Sequence, residues 1–327
     1  MRIAIIDGVN QDIGLKILFP DADYYIHNSE DCTINSRNAS YKKYNFTPKT
    51  DFSNINDSNY DYIFVVLSLY DILPTHYFHK NIKDVFMKIM GIINNNNFKF
   101  VAIFDNYDFD YDPNDFINNS KINVFFKRNY NKNKKYKSNV IPFPFIMFGD
   151  KSLIEKIDTE LANKTEYFKQ KRPICFFSGC QTSEHFYNYD KDTNIIRDRK
   201  YFYDKIHHYL YNPGNMSYVN FINTLRNSKF SIDLLGAGDP NKRTFEIVLS
   251  GSLMISQYSN LLWPFEDNET FSKETVFKND TEFISVINNL QNDNELYLKC
   301  LINQYNIVTK YFNKEWIKNY IIKNIII

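Results

Sequence analysis

The sequence predicts an α/β protein built from two doubly wound halves, and three observations carry that expectation. In the first half, short runs of β-branched and aromatic residues alternate with amphipathic stretches, the pattern of strands and helices layered on a parallel sheet. In the second half, residues 228–265 read as strand, glycine turn, helix and strand. Between them, residues 149–170 are polar and helical in pattern, so the domain boundary falls there. The expected division is 1–148, a linker at 149–170, a second domain at 171–305, and a terminal stretch 306–327. In that stretch a helix near 306–322 is expected to cross back to the first domain. A chain of 327 residues allows each domain a core of its own.

Taken in order, Ile3 to Ile6 is the first strand, and the segment from Gly8 to Gly14 turns into the first helix. Tyr62 to Leu67 is a continuous apolar strand, Ile82 to Ile93 a helix, and Phe100 to Phe104 another strand. Asn123 to Phe126 and Val140 to Phe145 complete the sheet. Doubly wound sheets bind ligands beyond the carboxyl ends of their strands, which singles out Asp7, Asp12, Ser68, Asp105, Lys127 and Arg128. Gly8 and Gly14 stand too far apart for a dinucleotide fingerprint, and Gly236-Ala237-Gly238 lacks its third glycine.

In the second half, Phe230, Ile232, Leu234 and Leu235 form a buried-strand pattern that stops at Gly236. Asp239 then reads as an N-cap and Pro240 as the first helical residue. A helix from 241 to 249 places Arg243 and Glu246 on one face, Ser250-Gly251 closes it, and residues 253–255 begin the next strand. A helix N-terminus there favours a pyrophosphate, Arg243 can grip phosphate oxygens, and Glu246 can accept both hydroxyls of a ribose. The same spacing also describes an ordinary surface ion pair.

At these residues the chain resembles the C-terminal half of GT-B glycosyltransferases, and within them the exostosin-like group. The residues that carry the likeness are Leu234-Leu235-Gly236, then R-x-x-E at Arg243 to Glu246, then Ser250-Gly251-Ser252-Leu253, then Trp263-Pro264-Phe265. Arg172 to Gly179 looks like the first strand and loop of the same half, Arg197 or Arg199 like its following basic helix, and the stretch from Val276 to Val308 like its closing helices. The resemblance covers about half the chain, roughly residues 170–320. It implies two Rossmann-like domains facing an interdomain cleft and a nucleotide-diphosphate sugar (UDP-, GDP- or dTDP-linked) as donor. Ser178, Gly179, Gly236, Arg243, Thr244, Glu246 and Arg199 then line the donor site. The acceptor is a glycan or another hydroxyl compound.

The two-glutamate signature of many retaining relatives is missing, because Gly238 stands eight positions before Glu246. An inverting transfer is therefore expected, and no metal is expected because fixed cations and dipoles meet the leaving group; Asp12 of the first turn is the candidate general base, its alternative an ordinary cap of the first helix. Asp105, Lys127 and Trp263 are candidates for the sugar and acceptor pocket. Trp263, Pro264 and Phe265 can equally belong to the core.

Composition narrows the alternatives. The net charge of +1, from 39 basic and 38 acidic residues, recruits neither nucleic acid nor an acidic membrane, and no metal or cofactor is called for. Asparagine, lysine and isoleucine abound, as an AT-rich genome would dictate. No leader or membrane helix is visible, so a cytoplasmic location (a host's, if the source is a virus) is expected in place of a Golgi anchor. Cys32, Cys175, Cys180 and Cys300 lack metal-ligand spacing and read as reduced and structural. His185, His207 and His208 read as surface residues, the basic run 127–137 as a solvated loop, and the apolar tail after Tyr320 as packed on the protein. Two other classes stay open: a GT-A-type enzyme holding a divalent metal on the aspartates of Asp105 to Asp112, and a noncatalytic carbohydrate-binding relative.

Overall fold

A computed structural model describes residues 2–8, 14–26, 47–67, 80–105, 112–114, 121–143, 172–177, 199–214, 216–235, 242–265 and 269–325. The chain divides into two compact units. The first comprises Met1–Ile146, Leu262–Pro264 and Lys314–Ile327, and the second Met147–Leu261 and Phe265–Asn313.

The first unit is built on strands β1 (Ile3–Asp7), β2 (Asp23–Ile26), β3 (Tyr62–Leu67), β4 (Phe100–Asp105), β5 (Val124–Lys127) and β6 (Val140–Pro142). They pair in parallel in the order β2-β1-β3-β4-β5-β6. Their residues are almost all buried, which is why the strands read as unbroken apolar runs without alternation. Helices α1 (Gly14–Leu18) and α2 (Lys80–Asn95) belong to this unit, and α2 buries Val85, Ile89 and Ile93 at helical spacing. Gly8 follows β1 and donates its N–H to Val66 O at 3.0 Å. A Cβ there would lie 2.8 Å from Leu67 Cδ2 and 3.2 Å from Val66 O, so any larger residue at this close approach of β1's end to β3 would make the Leu67 side chain shift. β6 is shorter than expected and ends at Pro142.

The second unit carries β7 (Arg172–Phe176), β8 (Leu210–Tyr211), β9 (Ser228–Asp233), β10 (Leu253–Gln257) and β11 (Val276–Phe277), parallel in the order β11-β10-β9-β7-β8. Its helices are α3 (Arg199–Ile206), α4 (Tyr218–Asn227), α5 (Lys242–Leu249), α6 (Asp280–Asn292) and α7 (Asn294–Tyr311). β11 reaches only Ser256 and Gln257 of β10. Beyond it the buried amide of Gln304, on α7, accepts from Met254 N at 3.0 Å and donates to Met254 O at 2.8 Å. One side chain thus stands in for the missing strand residue and keeps two buried backbone groups satisfied. Cys175 and Cys300 are buried free thiols, and burial pushes both up from the usual thiol range.

The C-terminal helix differs from the sequence expectation of one helix through 306–322. α7 stops at Tyr311 and α8 (Lys314–Ile325) starts anew. The stop is an asparagine: Asn313 Nδ2 donates to the carbonyls of Thr309 and Lys310 at 3.0 and 2.9 Å, satisfying the helix end that glycine or proline more often marks. α8 packs on the first unit, where Tyr320 Oη donates to Pro142 O at 2.7 Å and Lys318 Nζ lies over the Phe19 ring.

Candidate functional site

In the second unit the described candidate residues Arg243, Thr244 and Glu246 lie on α5, the helix that follows β9. β9 ends two residues earlier than the apolar pattern suggests, at Asp233, a buried carboxylate at its carboxyl end. Thr244 Oγ1 donates to Asp233 Oδ2 at 2.6 Å, tying strand to helix. Leu235 N donates to Gln257 Oε1 at 3.2 Å, which anchors the outgoing chain to the end of β10. At the other end of the helix, Gly251 takes φ 72° while its N–H reaches Val248 O and that of Ser252 reaches Ile247 O. This Schellman closure needs the left-handed residue that glycine supplies.

α5 is buried on most of its circumference, with Thr244, Phe245, Ile247, Val248 and Leu249 all inside. Phe245 packs on Phe312 with ring centroids 4.4 Å apart. Arg243 and Glu246 are the half-buried exceptions, and at three residues' separation they share one stripe of the helix. That stripe offers a forked cation and a carboxylate acceptor side by side, a donor set suited to a phosphate and to vicinal hydroxyls.

The carboxyl edge of the first sheet is also polar. Asp7, at the end of β1, is fully buried and accepts from Tyr24 Oη at 2.6 Å. Asp105 and Lys127, at the ends of β4 and β5, form an ion pair of 3.5 Å with both side chains at 0% exposure. The basic run 127–137, expected to be a solvated loop, starts inside the protein instead. Lys127, Arg128, Asn129 and Asn131 are buried, because β5 runs into it and its first charge is matched by Asp105. An ammonium on Asp105 also speaks against the GT-A reading, in which that carboxylate would face a divalent metal. Asp112 accepts from Asn114 N at 2.8 Å, as an aspartate capping a turn does.

Asp12, Ser68, Ser178, Gly179, Gly236 and His185 lie outside the described residues. Arg199 opens α3. Trp263 is half-buried in the segment Leu262–Pro264, which groups with the first unit, where Leu262 N donates to Tyr130 O at 2.8 Å. Phe265 is core: its ring stacks on Tyr311 at 4.6 Å. His207 and His208 sit on an exposed 3-10 turn. Among the described residues no three His, Cys, Asp or Glu side chains gather as metal ligands, and no helix is long and apolar enough to cross a membrane.

No family model matches the sequence, and no curated protein sequence matches it. Solved structures do match, along nearly the whole chain. HepE of Anabaena in complex with UDP gives a TM-score of 0.57 at 11% identity, covering 99% of this chain and 99% of that one. The same protein with UDP-glucose gives 0.54 at 10%, over 99% and 98%. A glycosyltransferase from Rickettsia africae gives 0.55 at 12%, over 98% and 97%. The fold is that of GT-B glycosyltransferases. In GT-B terms the two parallel sheets are the two Rossmann-like domains, and α5 is the helix of the second that carries R-x-x-E.

Sequence reasoning missed Asp233, Gln257 and the pairing of Asp105 with Lys127. A lone carboxylate closing an apolar run marks Asp105, whereas Asp233 interrupts one that Leu234 and Leu235 continue.

Proposed function

We propose that this chain is a glycosyltransferase that takes its sugar from a nucleotide diphosphate, UDP first among the candidates. The observation that carries the reading is the half-buried pair of Arg243 and Glu246 on the strand-following helix of a GT-B fold. The complexes of the similarly folded Anabaena HepE with UDP and UDP-glucose agree with it. Glu246 holds the ribose hydroxyls, and Arg243 takes the diphosphate as negative charge builds on the leaving group. The exostosin-like affiliation rests on R-x-x-E and the residues around it.

In the transfer we propose, the acceptor hydroxyl oxygen attacks the anomeric carbon while the bond from that carbon to the diphosphate oxygen breaks. The configuration inverts, and the hydroxyl proton passes to a carboxylate, for which Asp12 is the candidate. A glycan or small hydroxyl compound accepts the sugar, and no metal is required because a guanidinium and helix N–H groups meet the departing charge.

The test is a thermal-shift panel of UDP, GDP, dTDP and CMP, with and without EDTA, on wild type and Glu246→Ala. At about 100 times its dissociation constant, a ligand adds about 2.7 kcal/mol to the folded state. One diphosphate should stabilise the wild type with or without EDTA and fail on the variant. Stabilisation that vanishes with EDTA would instead favour the metal-dependent class, and no response to any nucleotide would leave a binding protein on a GT-B scaffold.

A further inference from the structure

We infer that Asp233 and Thr244 form a latch that sets the rotation of α5, so that they act as positioning residues for the nucleotide through Glu246 and Arg243. The inference rests on the donor-site reading above, adds Asp233 to it and gives Thr244 a positioning role there. α5 has only eight residues, and Arg243 and Glu246 lie on either side of Thr244 in sequence. Turning so short a helix by one residue's worth, about 100°, would carry both side chains off their stripe. Burial of Phe245, Ile247, Val248 and Leu249 decides which side of the helix faces the core, and a polar bond fixes the finer angle within that burial. One directional contact is the 2.6 Å bond from Thr244 Oγ1 to Asp233 Oδ2, between two buried side chains, one on the strand and one on the helix. Gln257, bonded to Leu235 N, holds the strand's outgoing end against the adjacent strand.

Rescue and coupling separate positioning from bulk packing. By isothermal titration with the nucleotide that the wild type binds, Thr244→Val should weaken affinity about tenfold, while Thr244→Ser and Asp233→Asn, which keep a donor and an acceptor, should stay within about threefold, a tenfold loss being about 1.4 kcal/mol. In a Glu246→Gln background the valine change should cost less than about twofold more, because the group it positions is already impaired. Equal losses for valine and serine, or full additivity with Glu246→Gln, would overturn the latch. So would a wild-type affinity retained by Thr244→Val. A wild type that binds no nucleotide would remove the donor-site reading itself, and the latch with it. Should Thr244→Val fail to fold, Asp233→Ala against Asp233→Asn makes the same comparison from the strand side.

Discussion

The two sheets share parallel topology but treat their carboxyl edges in opposite ways. The first sheet seals charge inside: Asp105 faces Lys127 with neither exposed, and Asp7 faces Tyr24. The second uses a buried hydroxyl–carboxylate bond, Thr244 to Asp233, beneath a helix on which Arg243 and Glu246 are half-buried. A sealed pair has satisfied its own electrostatics and has little left for a ligand. A half-open pair has paid only part of its desolvation and can complete it on binding. On the proposed donor-site reading the first edge serves stability and the second recognition, and substitutions in the two should separate along that line.

The largest effect is expected at the sealed edge. Lys127→Met leaves the Asp105 carboxylate buried without its cation and should lower unfolding free energy by about 3–5 kcal/mol in urea titration, while the double change with Asp105→Leu recovers most of it. Tyr24→Phe removes the hydroxyl that Asp7 accepts from and should cost about 2 kcal/mol by the same measurement. At the open edge the pattern reverses: Glu246→Gln should shift the nucleotide-free melting midpoint by less than about 2 °C, near the size of a 0.5 to 1 kcal/mol change, yet weaken nucleotide binding about tenfold. If Glu246→Gln destabilised the fold as much as Lys127→Met, the contrast between the edges would fail.

The smallest effect concerns a third kind of buried polar group, away from both edges. Burial, and after it the hydrogen bond to Asp23, raise the Tyr60 phenol well above its usual range. A raised folded pKa contributes stability that is present below the unfolded value, about pH 10, and is lost as pH rises beyond it. Wild type should therefore lose stability above pH 10 more steeply than Tyr60→Phe, by at most about 1.4 kcal/mol per pH unit.

Much of this architecture is legible in the sequence where physics is local. β3 can be read to the residue because an unbroken β-branched and aromatic run has no other stable use. The closing of α5 is legible because Ser250-Gly251 carries its own stop signal. β2 is not, because Asp23 to Ile26 is four residues long with an acidic start, and its strand state depends on pairing with β1. The break before α8 is hidden because Asn313 does the work that glycine or proline would advertise. In the candidate site, Arg243 and Glu246 show in their spacing. Asp105 and Lys127 show singly as strand-end residues, but their pairing joins positions far apart in the chain, and only the register of β4 with β5 makes them neighbours.

The placement of α8 bears on the order in which the protein can be completed. The first unit includes Lys314–Ile327, and Tyr320 reaches back to Pro142. During synthesis its sheet emerges before the second unit, yet Phe19 and Pro142 wait for a helix that is made after it. The first unit is completed by a segment that follows the second in sequence, so a chain cut before Lys314 holds an uncovered first unit however complete the second has become.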